Sequence, residues 1–361
     1  MILDRLEVDH LRNIENLSLE LAPGINLFTG PNGAGKTSLL EAVHLLVRGK
    51  SFRRGGLESQ ISHTSDDMAV RGRFTADKSS FRLDFNKRRG NPLELQHDRR
   101  RVQRISEIVS LVPIQTFLPD LAELIFGAPV ERRKWLDLGV LYEGAEALRT
   151  MAHFRHVLRQ RNAALRTRQV SQLDAWDFEL IASAEAITAL RHRCFESMKK
   201  EVVSCMSQLC PELDVSLRFF PGFRGGEFAE DLRKQRPRDV KLRMTNSGPH
   251  RADVHVRIGV DGSHRRALPS AAALVSQGQA RALAAAFKLG QVQYLKTRGY
   301  RSLLLVDDLG SEWDDLHCDR FLTHMTELGS QALSSAVSTG LLPQGWAERV
   351  TRFRLNQGNV L

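Results

Sequence analysis

A glycine-rich loop near the N-terminus constrains this chain more than any other feature. The segment FTGPNGAGKTSLLEA covers residues 28–42. The apolar run INLFT, typical of a strand, leads into the loop, and apolar residues at helical spacing follow it. A strand, a glycine loop and a helix in this order point the N-terminus of the helix at an anion. The pattern predicts a P-loop that holds the phosphates of a nucleoside triphosphate.

The residue types of this loop match the chemistry of phosphate binding. Glycines allow successive backbone amides to turn towards a phosphate. We expect Lys36 to reach the β- and γ-phosphates and the hydroxyl of Thr37 to bind Mg²⁺, so ATP and Mg²⁺ are the predicted cofactors. The loop residues predicted to bind the nucleotide are Gly30, Pro31, Asn32, Gly33, Ala34, Gly35, Lys36, Thr37 and Ser38.

A second acidic motif lies far from the loop in the sequence. SLLLVDD reads as a buried strand that ends in Asp307 and Asp308. A P-loop ATPase needs such a motif on a neighbouring strand, so we expect Asp307 to bind Mg²⁺ and Asp308 to position the attacking water. Because most of the chain separates Lys36 from Asp307, the spacing favours a split ATPase head over a simple kinase or a small GTPase.

A third motif, ALVSQGQARALAAAF, precedes the acidic strand. We expect Ser276 to cap a helix that begins near Gln277, with Gly278 leaving room for a phosphate at the first turn. The S-x-G-Q pattern resembles the signature motif of ABC-type ATPases, which binds the γ-phosphate held by another subunit. Ser276, Gly278 and Gln279 are therefore predicted to complete the nucleotide site of a partner. LGSEWDD resembles the D-loop of the same class, and AVSTG marks a strand end where a polar sensor is expected.

Hydrophobic patterns that change along the sequence divide the chain into predicted domains. Short strands dominate the first hundred residues, and long amphipathic helices are expected between about Leu118 and Leu209. We predict an α/β fold in which residues 1–115 and 245–361 form the two parts of an ATPase head and residues 116–244 form an inserted, mainly helical arm.

Composition restricts the class of protein and of partner. No apolar run is long enough to cross a bilayer, and the N-terminus carries charges where a signal peptide needs apolar residues, so we expect a cytoplasmic protein. The formal net charge of +10 favours a polyanionic partner. The four cysteines form no C-x-x-C pair, which favours buried free thiols over a zinc site built from His192, Cys205 and Cys210.

Taken in order, the motifs resemble those of the RecF family of bacterial recombination mediators. The matching segments are LEVDHLRNIENLSLEL, the P-loop segment, GAPVERRKWLDLGV, SGPHRAD, SQGQAR and LLLVDDLGSE. The resemblance implies an ABC-type P-loop head with split motifs and an inserted helical arm. It also implies an ATP-dependent homodimer that clamps double-stranded DNA near junctions with single strands. With RecR and RecO, such a dimer would promote RecA loading at gaps during recombinational repair and replication restart.

The same resemblance adds one residue to the predicted nucleotide site and bears on the rate of ATP hydrolysis. In related heads the arginine of the L-R-N run contacts the nucleotide, which makes Arg12 a candidate. Trp313 stands where the D-loop usually has leucine, and Asp120 stands where glutamate is common. Asp308 replaces the glutamate that transporters carry after the first aspartate. We therefore expect slow, DNA-stimulated hydrolysis of ATP.

Several arginine clusters are candidates for DNA contacts. Arg53 and Arg54 follow the P-loop helix, and Arg99, Arg100 and Arg101 are expected in a polar turn. Contacts to phosphates would be independent of sequence and sensitive to salt. A further set is expected on one helix of the arm: Arg155, Arg159, Arg161, Arg166 and Arg168. Each cluster is equally consistent with a solvated helix or loop surface.

Two other functions remain open at this point. The chain could be a monomeric P-loop enzyme that acts on a small molecule, with the helical arm as a lid. It could also be a degenerate head that binds ATP only to hold partners together.

Overall fold

The computed structural model describes residues 1–76, 79–260, 263–266, 275–311 and 313–361. The chain forms two compact units. The first contains residues 1–121, 277–285 and 295–361, and the second contains residues 122–276 and 286–294. These limits differ from the expected divisions at residues 116 and 245, since the second unit also takes the middle of one long helix.

An antiparallel sheet forms one layer of the first unit. Its six strands are β1 (Ile2–Leu11), β2 (Ile14–Glu20), β4 (Asp67–Ala76), β5 (Ser79–Arg88), β6 (Glu94–His97) and β7 (Arg100–Arg101), in the order β2-β1-β4-β5-β6-β7. The side chains alternate as a half-buried strand requires: in β4, Met68, Val70 and Phe74 are buried. One face of this sheet therefore belongs to the core.

A mainly parallel sheet forms the other layer of the first unit. It contains β3 (Ile25–Thr29), β8 (Ile114–Phe117), β12 (Leu303–Val306), β13 (Ala332–Ala336), β14 (Thr351–Asn356) and β15 (Asn359–Val360), in the order β15-β14-β3-β13-β12-β8. All of these strands except β15 run parallel to their neighbours. Every residue of β12 and β13 is buried, as expected of central strands in a parallel sheet, and β12 is apolar throughout.

Three helices lie wholly within the first unit: α1 (Lys36–Arg48), α2 (Ile105–Leu111) and α9 (Asp315–Glu327). Helix α1 contacts strands of both sheets, including β4 and β13. Its residues Leu39, Val43 and Leu46 are fully buried. The helix that follows the P-loop is thus a central part of the core, and the loop at its N-terminus is held from both sides.

The second unit is mainly helical and also carries a small sheet. Its helices are α3 (Glu123–Phe126), α4 (Pro129–Leu141), α5 (Ala145–Arg166), α6 (Leu173–Leu209) and α7 (Phe228–Leu242). Its antiparallel sheet has the order β11-β10-β9, with β9 at Asp214–Phe220, β10 at Asp253–Val260 and β11 at Ser263–Arg266. Helix α8 (Gln277–Thr297) contributes residues to both units.

Short 3₁₀ turns connect several of these elements. They lie at Leu57–Gln60, Val170–Gln172, Pro249–Arg251, Thr339–Leu341 and Trp346–Glu348. Among the residues described, no helix is both long and apolar enough to span a membrane.

Three details of the expected secondary structure are wrong. The long helices expected from about Leu118 onwards are interrupted at Gly144, whose φ of 107° lies just before α5 and separates it from α4. Helix α7 was missed because Pro237 lies inside it. Strands β14 and β15, which complete the parallel sheet beside the P-loop strand, were not expected at the C-terminus.

Two side-chain predictions have clear outcomes. All four cysteines are buried and none of them is in a disulfide, and burial raises the pKa of Cys205 to about 12. Arg161, expected on a basic helix face, is instead fully buried. Its guanidinium pairs with Asp177 at 2.6 Å and with Asp239 at 2.8 Å. Arg161 therefore stabilises the second unit and is not available to DNA.

Candidate nucleotide-binding site

The two ATPase motifs meet at one edge of the parallel sheet. The P-loop follows β3 and Asp307 follows β12, and parallel strands place their carboxyl ends at the same edge. The two strands are not immediate neighbours, contrary to expectation, because β13 lies between them. A side chain near the end of β13 is therefore placed between the two motifs.

Backbone geometry explains the glycines of the loop. Gly30 has a φ of 152°, and a Cβ atom there would lie 2.3 Å from the carbonyl oxygen of Leu355. Gly35 has a φ of 101° and stands at the N-cap of α1. No larger residue fits either position without strain, so the loop remains an open cradle of amides.

Two contacts from outside the motif hold the loop in shape. The side-chain amide of Asn13 donates to the carbonyl oxygen of Gly33 at 2.9 Å. The backbone N–H of Gly358, in the hairpin between β14 and β15, donates to the carbonyl oxygen of Ala34 at 3.0 Å. Sequence reasoning missed Asn13, although it stands beside Arg12 in the L-R-N run.

Lys36 is folded over its own loop. Its Nζ donates to the carbonyl oxygens of Gly30 at 2.7 Å and Pro31 at 3.0 Å. Burial lowers the pKa of Lys36, while the negative charges of Asp308 and Asp307 oppose that shift. The ammonium group thus points into the cradle, where phosphate oxygens would offer stronger, charge-assisted acceptors than backbone carbonyls.

Asp307 joins the two motifs through hydrogen bonds. The hydroxyl of Thr37 donates to Oδ1 of Asp307 at 3.0 Å, although the residues are 270 positions apart. The hydroxyl of Ser335, on β13, donates to the same oxygen at 2.7 Å and accepts the backbone N–H of Asp308 at 2.8 Å. Asp308 itself has a φ of 59°, a conformation unusual for a residue with a Cβ atom.

Ser335 is a site residue that sequence reasoning missed. The polar sensor expected in AVSTG stays a prediction; Ser338 in that segment is exposed before a short 3₁₀ turn. Two serines in the otherwise apolar run ALSSA were the available signal, because a polar side chain on a fully buried strand needs a partner.

The donor set at Asp307 fits a magnesium ion. Thr37 and Asp307 bring a hydroxyl oxygen and a carboxylate oxygen together, and Mg²⁺ prefers oxygen ligands of these types. When bound, the ion would neutralise charge on the β- and γ-phosphates. Thr37 and Asp307 are the residues that would hold it.

Arg12 lies at one side of the P-loop helix and is paired with a buried carboxylate. Its Nε is 2.5 Å from Oε2 of Glu41, and its Nη2 donates to Oε1 at 2.9 Å. Glu41 is fully buried on α1 and also accepts the hydroxyl of Ser51, with Arg53 at 3.8 Å. Glu41, which the sequence did not single out, thus fixes both Arg12 and the segment that carries Arg53.

The signature segment begins α8 as predicted. The helix starts at Gln277, directly after the exposed Ser276, and ends at Thr297. A Cβ atom at Gly278 would lie 2.3 Å from Oδ2 of Asp314. Asp314 caps α9, so a larger residue at position 278 would disturb the start of that helix.

The D-loop tryptophan is part of the core. Trp313 is buried and stacks on Phe321 with ring centroids 4.8 Å apart. The guanidinium of Arg281, on α8, lies over the Trp313 ring at 5.4 Å. The replacement of the usual leucine therefore anchors the segment after Asp308 against α8 and α9.

Comparisons with known proteins decide the family. The DNA replication and repair protein RecF of Shewanella baltica strain OS155 is 32% identical over 364 residues, which cover 100% of this chain and 99% of that protein. The RecF protein of Shewanella oneidensis strain MR-1 is 33% identical with the same coverage. The chain belongs to the RecF family. It is thus a member of a family of DNA replication and repair proteins.

Solved structures agree on the fold. The recombination mediator protein RecF-ATPrS in the RecFOR pathway has a TM-score of 0.82 at 24% identity and covers 99% of this chain and 97% of its own. The Smc head bound to the C-winged helix domain of ScpA has a TM-score of 0.63 at 15% identity, with coverages of 100% and 96%. A family model described as an AAA domain matches residues 5–119. The RecF and SMC heads share this α/β ATPase fold.

Two of the arginine clusters considered for DNA contacts lie in the first unit of this RecF-family chain. Arg53 and Arg54 are exposed in the segment after α1, and Arg53 lies near the carboxylate of Glu41. Arg99 stands in the turn between β6 and β7 with a φ of 65°. Arg100 and Arg101, expected in a turn, form the edge strand β7 and are exposed.

Proposed function

We propose that this RecF-family chain is an ATP-dependent DNA-binding protein of recombinational repair and replication restart. ATP joins two copies into a homodimer that clamps double-stranded DNA near a junction with single-stranded DNA. With RecR and RecO, the dimer promotes RecA loading at gaps, and slow, DNA-stimulated hydrolysis of ATP releases it.

The hydrogen bond between Thr37 and Asp307 carries this proposal. It brings the P-loop and the acidic strand to one point, as a working ATPase requires, from opposite ends of the sequence. The same edge of the sheet carries Asp308 and Lys36, which supports one copy as the holder of the phosphates and of the carboxylate that positions water. The signature residues Ser276, Gly278 and Gln279 are proposed to serve the site of the second copy.

Each side chain has a defined task in this proposal. The ammonium group of Lys36 exchanges its carbonyl acceptors for phosphate oxygens, and the glycine loop supplies backbone N–H donors. Asp308 accepts a hydrogen bond from the attacking water and orients it. Ser335 keeps Asp307 and Asp308 in place while the nucleotide is bound.

A low rate of hydrolysis suits the role of a timer. Asp308 has a side chain one methylene shorter than the glutamate of transporters, and its backbone is held in a left-handed conformation. Both features restrict how its carboxylate reaches water. We propose that DNA raises the rate because it stabilises the dimer and so the composite sites.

The charge of the chain and its relatives support the choice of partners. A net charge of +10 favours association with the polyanion DNA, and contacts to its phosphates would weaken as salt rises. The related RecF structure with ATPrS belongs to the RecFOR pathway, which supports RecR and RecO as partners.

The composite site is tested by two variants that fail for different reasons. Lys36→Met should abolish ATP binding, whereas Ser276→Arg should retain ATP binding and lose ATP-dependent dimerisation. Ser207→Arg, which places the same charge at an exposed serine on α6, is the matched control and should dimerise normally. Dimerisation is measured by analytical ultracentrifugation with and without ATP.

A mixture of the two defective variants gives a stricter result. A heterodimer of the Lys36→Met and Ser276→Arg chains contains one site in which an intact P-loop faces an intact signature segment. Its turnover should therefore exceed that of either variant alone. A Ser276→Arg chain that still dimerises with ATP would overturn the composite site.

The other two functions predict different results. A monomeric enzyme that acts on a small molecule needs no second copy, so Ser276→Arg would leave its turnover unchanged. A degenerate head would be indifferent to Asp308→Asn. Membership of the RecF family and the intact arrangement of Lys36, Thr37 and Asp307 favour the ATPase clamp over both.

A further inference from the structure

The SGPHRAD segment is not among the residues assigned to the nucleotide site, and part of it lines a cavity in the second unit. Ser247, the first residue of this motif, and Arg251, its fifth, line this cavity of about 490 Å³. Its other walls come from the end of β9 and from α7. This volume lies within the range of about 300–1,000 Å³ that is typical of small-ligand sites.

Two glycines hold the walls of this cavity close together. Gly222 has a φ of 95°, and a Cβ atom there would lie 2.2 Å from the carbonyl oxygen of Gly248. The backbone N–H of Gly248 donates to the carbonyl oxygen of Gly222 at 3.0 Å. The first residues of the motif are thus locked against the segment that follows β9.

One face of α7 supplies the opposite wall. Asp231, Gln235 and Arg238 lie four and three positions apart and therefore share a side of the helix. The buried Asp231 accepts a hydrogen bond from the hydroxyl of Ser247, which holds its carboxylate within the wall.

The remaining charge of the cavity is positive. Arg224, Arg238 and Arg251 line it and are exposed. Within the described part of the chain, none of these three guanidinium groups is paired with a carboxylate. Three free arginines around one cavity form a site for a phosphate group, because the guanidinium fork matches phosphate oxygens.

Aromatic rings line the same cavity. Phe220 and Phe223 line it and are half-buried. Phe220 stacks on His255 with ring centroids 5.3 Å apart, and Phe223 packs against Phe228 at 5.2 Å, so both rings are held in place. Bases of single-stranded nucleic acid stack on such rings regardless of sequence, whereas a paired base inside a duplex is not accessible to them. The cavity thus combines hydrogen-bond donors for a phosphate group with aromatic rings on which a base can stack.

We propose that this cavity binds one unpaired nucleotide of single-stranded DNA. Arg224, Arg238 and Arg251 hold the phosphate, and Phe220 and Phe223 pack against the base. The proposal rests on the DNA binding proposed above and adds the element that distinguishes a single-stranded tail from a blunt duplex.

The test compares two arginines of the same helix. Arg238→Ala removes an arginine of the cavity, and Arg233→Ala removes an exposed arginine of α7 that does not line it. The probes are a blunt duplex and the same duplex with a single-stranded thymidine tail, labelled with fluorescein and titrated with full-length protein, ATP and Mg²⁺. Arg238→Ala should weaken binding of the tailed probe about fivefold and lower its salt dependence by about 0.7 in log–log slope.

Blunt-duplex binding should be unchanged in Arg238→Ala, and Arg233→Ala should bind both probes as the natural chain does. Phe223→Ala should weaken binding of the tailed probe about tenfold, in line with the loss of one stacked base.

Three results would overturn the proposal. Equal affinity of the natural chain and Arg238→Ala for the tailed probe means that the cavity is not used. Equal weakening for both probes means that Arg238 contacts duplex phosphates instead. A natural chain that binds neither probe refutes the proposed function itself, and the role of this cavity fails with it.

Discussion

Replacing Ser335 with alanine should damage the nucleotide site without touching a recognised motif. The Ser335 hydroxyl donates to the ionised Asp307 and accepts the N–H of Asp308. A hydrogen bond to a charged group contributes about 1.5–3 kcal/mol and a neutral one about 0.5–1.5 kcal/mol. We therefore expect Ser335→Ala to lower the free energy of unfolding by about 2–4 kcal/mol.

The same substitution should lower turnover more than it lowers ATP affinity. The left-handed conformation of Asp308 costs about 1–2 kcal/mol, and the bond to Ser335 helps to maintain it. Without that bond the carboxylate of Asp308 should leave the position from which it is proposed to orient water. A loss of about 2 kcal/mol in transition-state stabilisation corresponds to a roughly 30-fold lower kcat.

The neighbouring serine provides the control. Ser334 is also fully buried on β13, but its hydroxyl has no hydrogen-bond partner among the residues described. Ser334→Ala should leave stability and turnover unchanged or slightly raise stability, since it removes an unsatisfied polar group. Urea unfolding measures the stability of both variants, and steady-state assays measure their ATP turnover. If the two variants behave alike, the role assigned to Ser335 is wrong.

Three further predictions follow from buried charges. Arg12→Ala should destabilise the chain by about 3 kcal/mol in urea unfolding, because it leaves the buried Glu41 without its main cation; Arg12→Ala together with Glu41→Gln should recover part of the loss. Arg161→Ala should cost about 3–5 kcal/mol in the same assay and show that this arginine serves stability. Burial lowers the pKa of His44 to about 4, so the unfolded chain takes up a proton below its ordinary value of 6.5 while the folded chain does not. His44 should therefore contribute a fall in stability of about 2 kcal/mol between pH 7 and pH 5, and His44→Gln should remove that part of the slope, while His250, whose pKa burial also lowers to about 4, keeps its own part.

The parts of the site that follow from local sequence were predictable. A recognisable motif and the hydrophobic periodicity of a strand or helix occur together at three places: the P-loop, the helix at Gln277 and the strand before Asp307. Their meeting could be expected because split ATPase motifs must touch, and the bond between Thr37 and Asp307 confirms it.

What escaped prediction depends on the order of strands in the sheet. The sequence around Ser335 does not indicate that β13 lies between β3 and β12. Ser335 contacts Asp307 and Asp308 only because β13 has that position in the sheet. Asn13 and Gly358 are similar cases, since each reaches the P-loop from a segment that is distant in sequence. Contacts between segments that are distant in sequence place these residues at the nucleotide site, and local secondary-structure propensity does not reveal such contacts.

The arm shows the opposite failure, in which a local pattern was read too literally. Arg161 lies in a run of arginines that suggests a basic surface, but it occupies a buried position of α5 opposite Asp177 and Asp239. Arg161 is buried because α6 and α7 pack against α5. A count of charges along the sequence does not reveal this packing.

The most direct test of the composite site is ATP turnover per monomer over a range of protein concentrations, with and without double-stranded DNA. The account predicts a specific rate that climbs with protein concentration and rises further with DNA, because two copies share each site. A rate that is independent of both concentration and DNA would mean a self-contained site and would contradict the clamp.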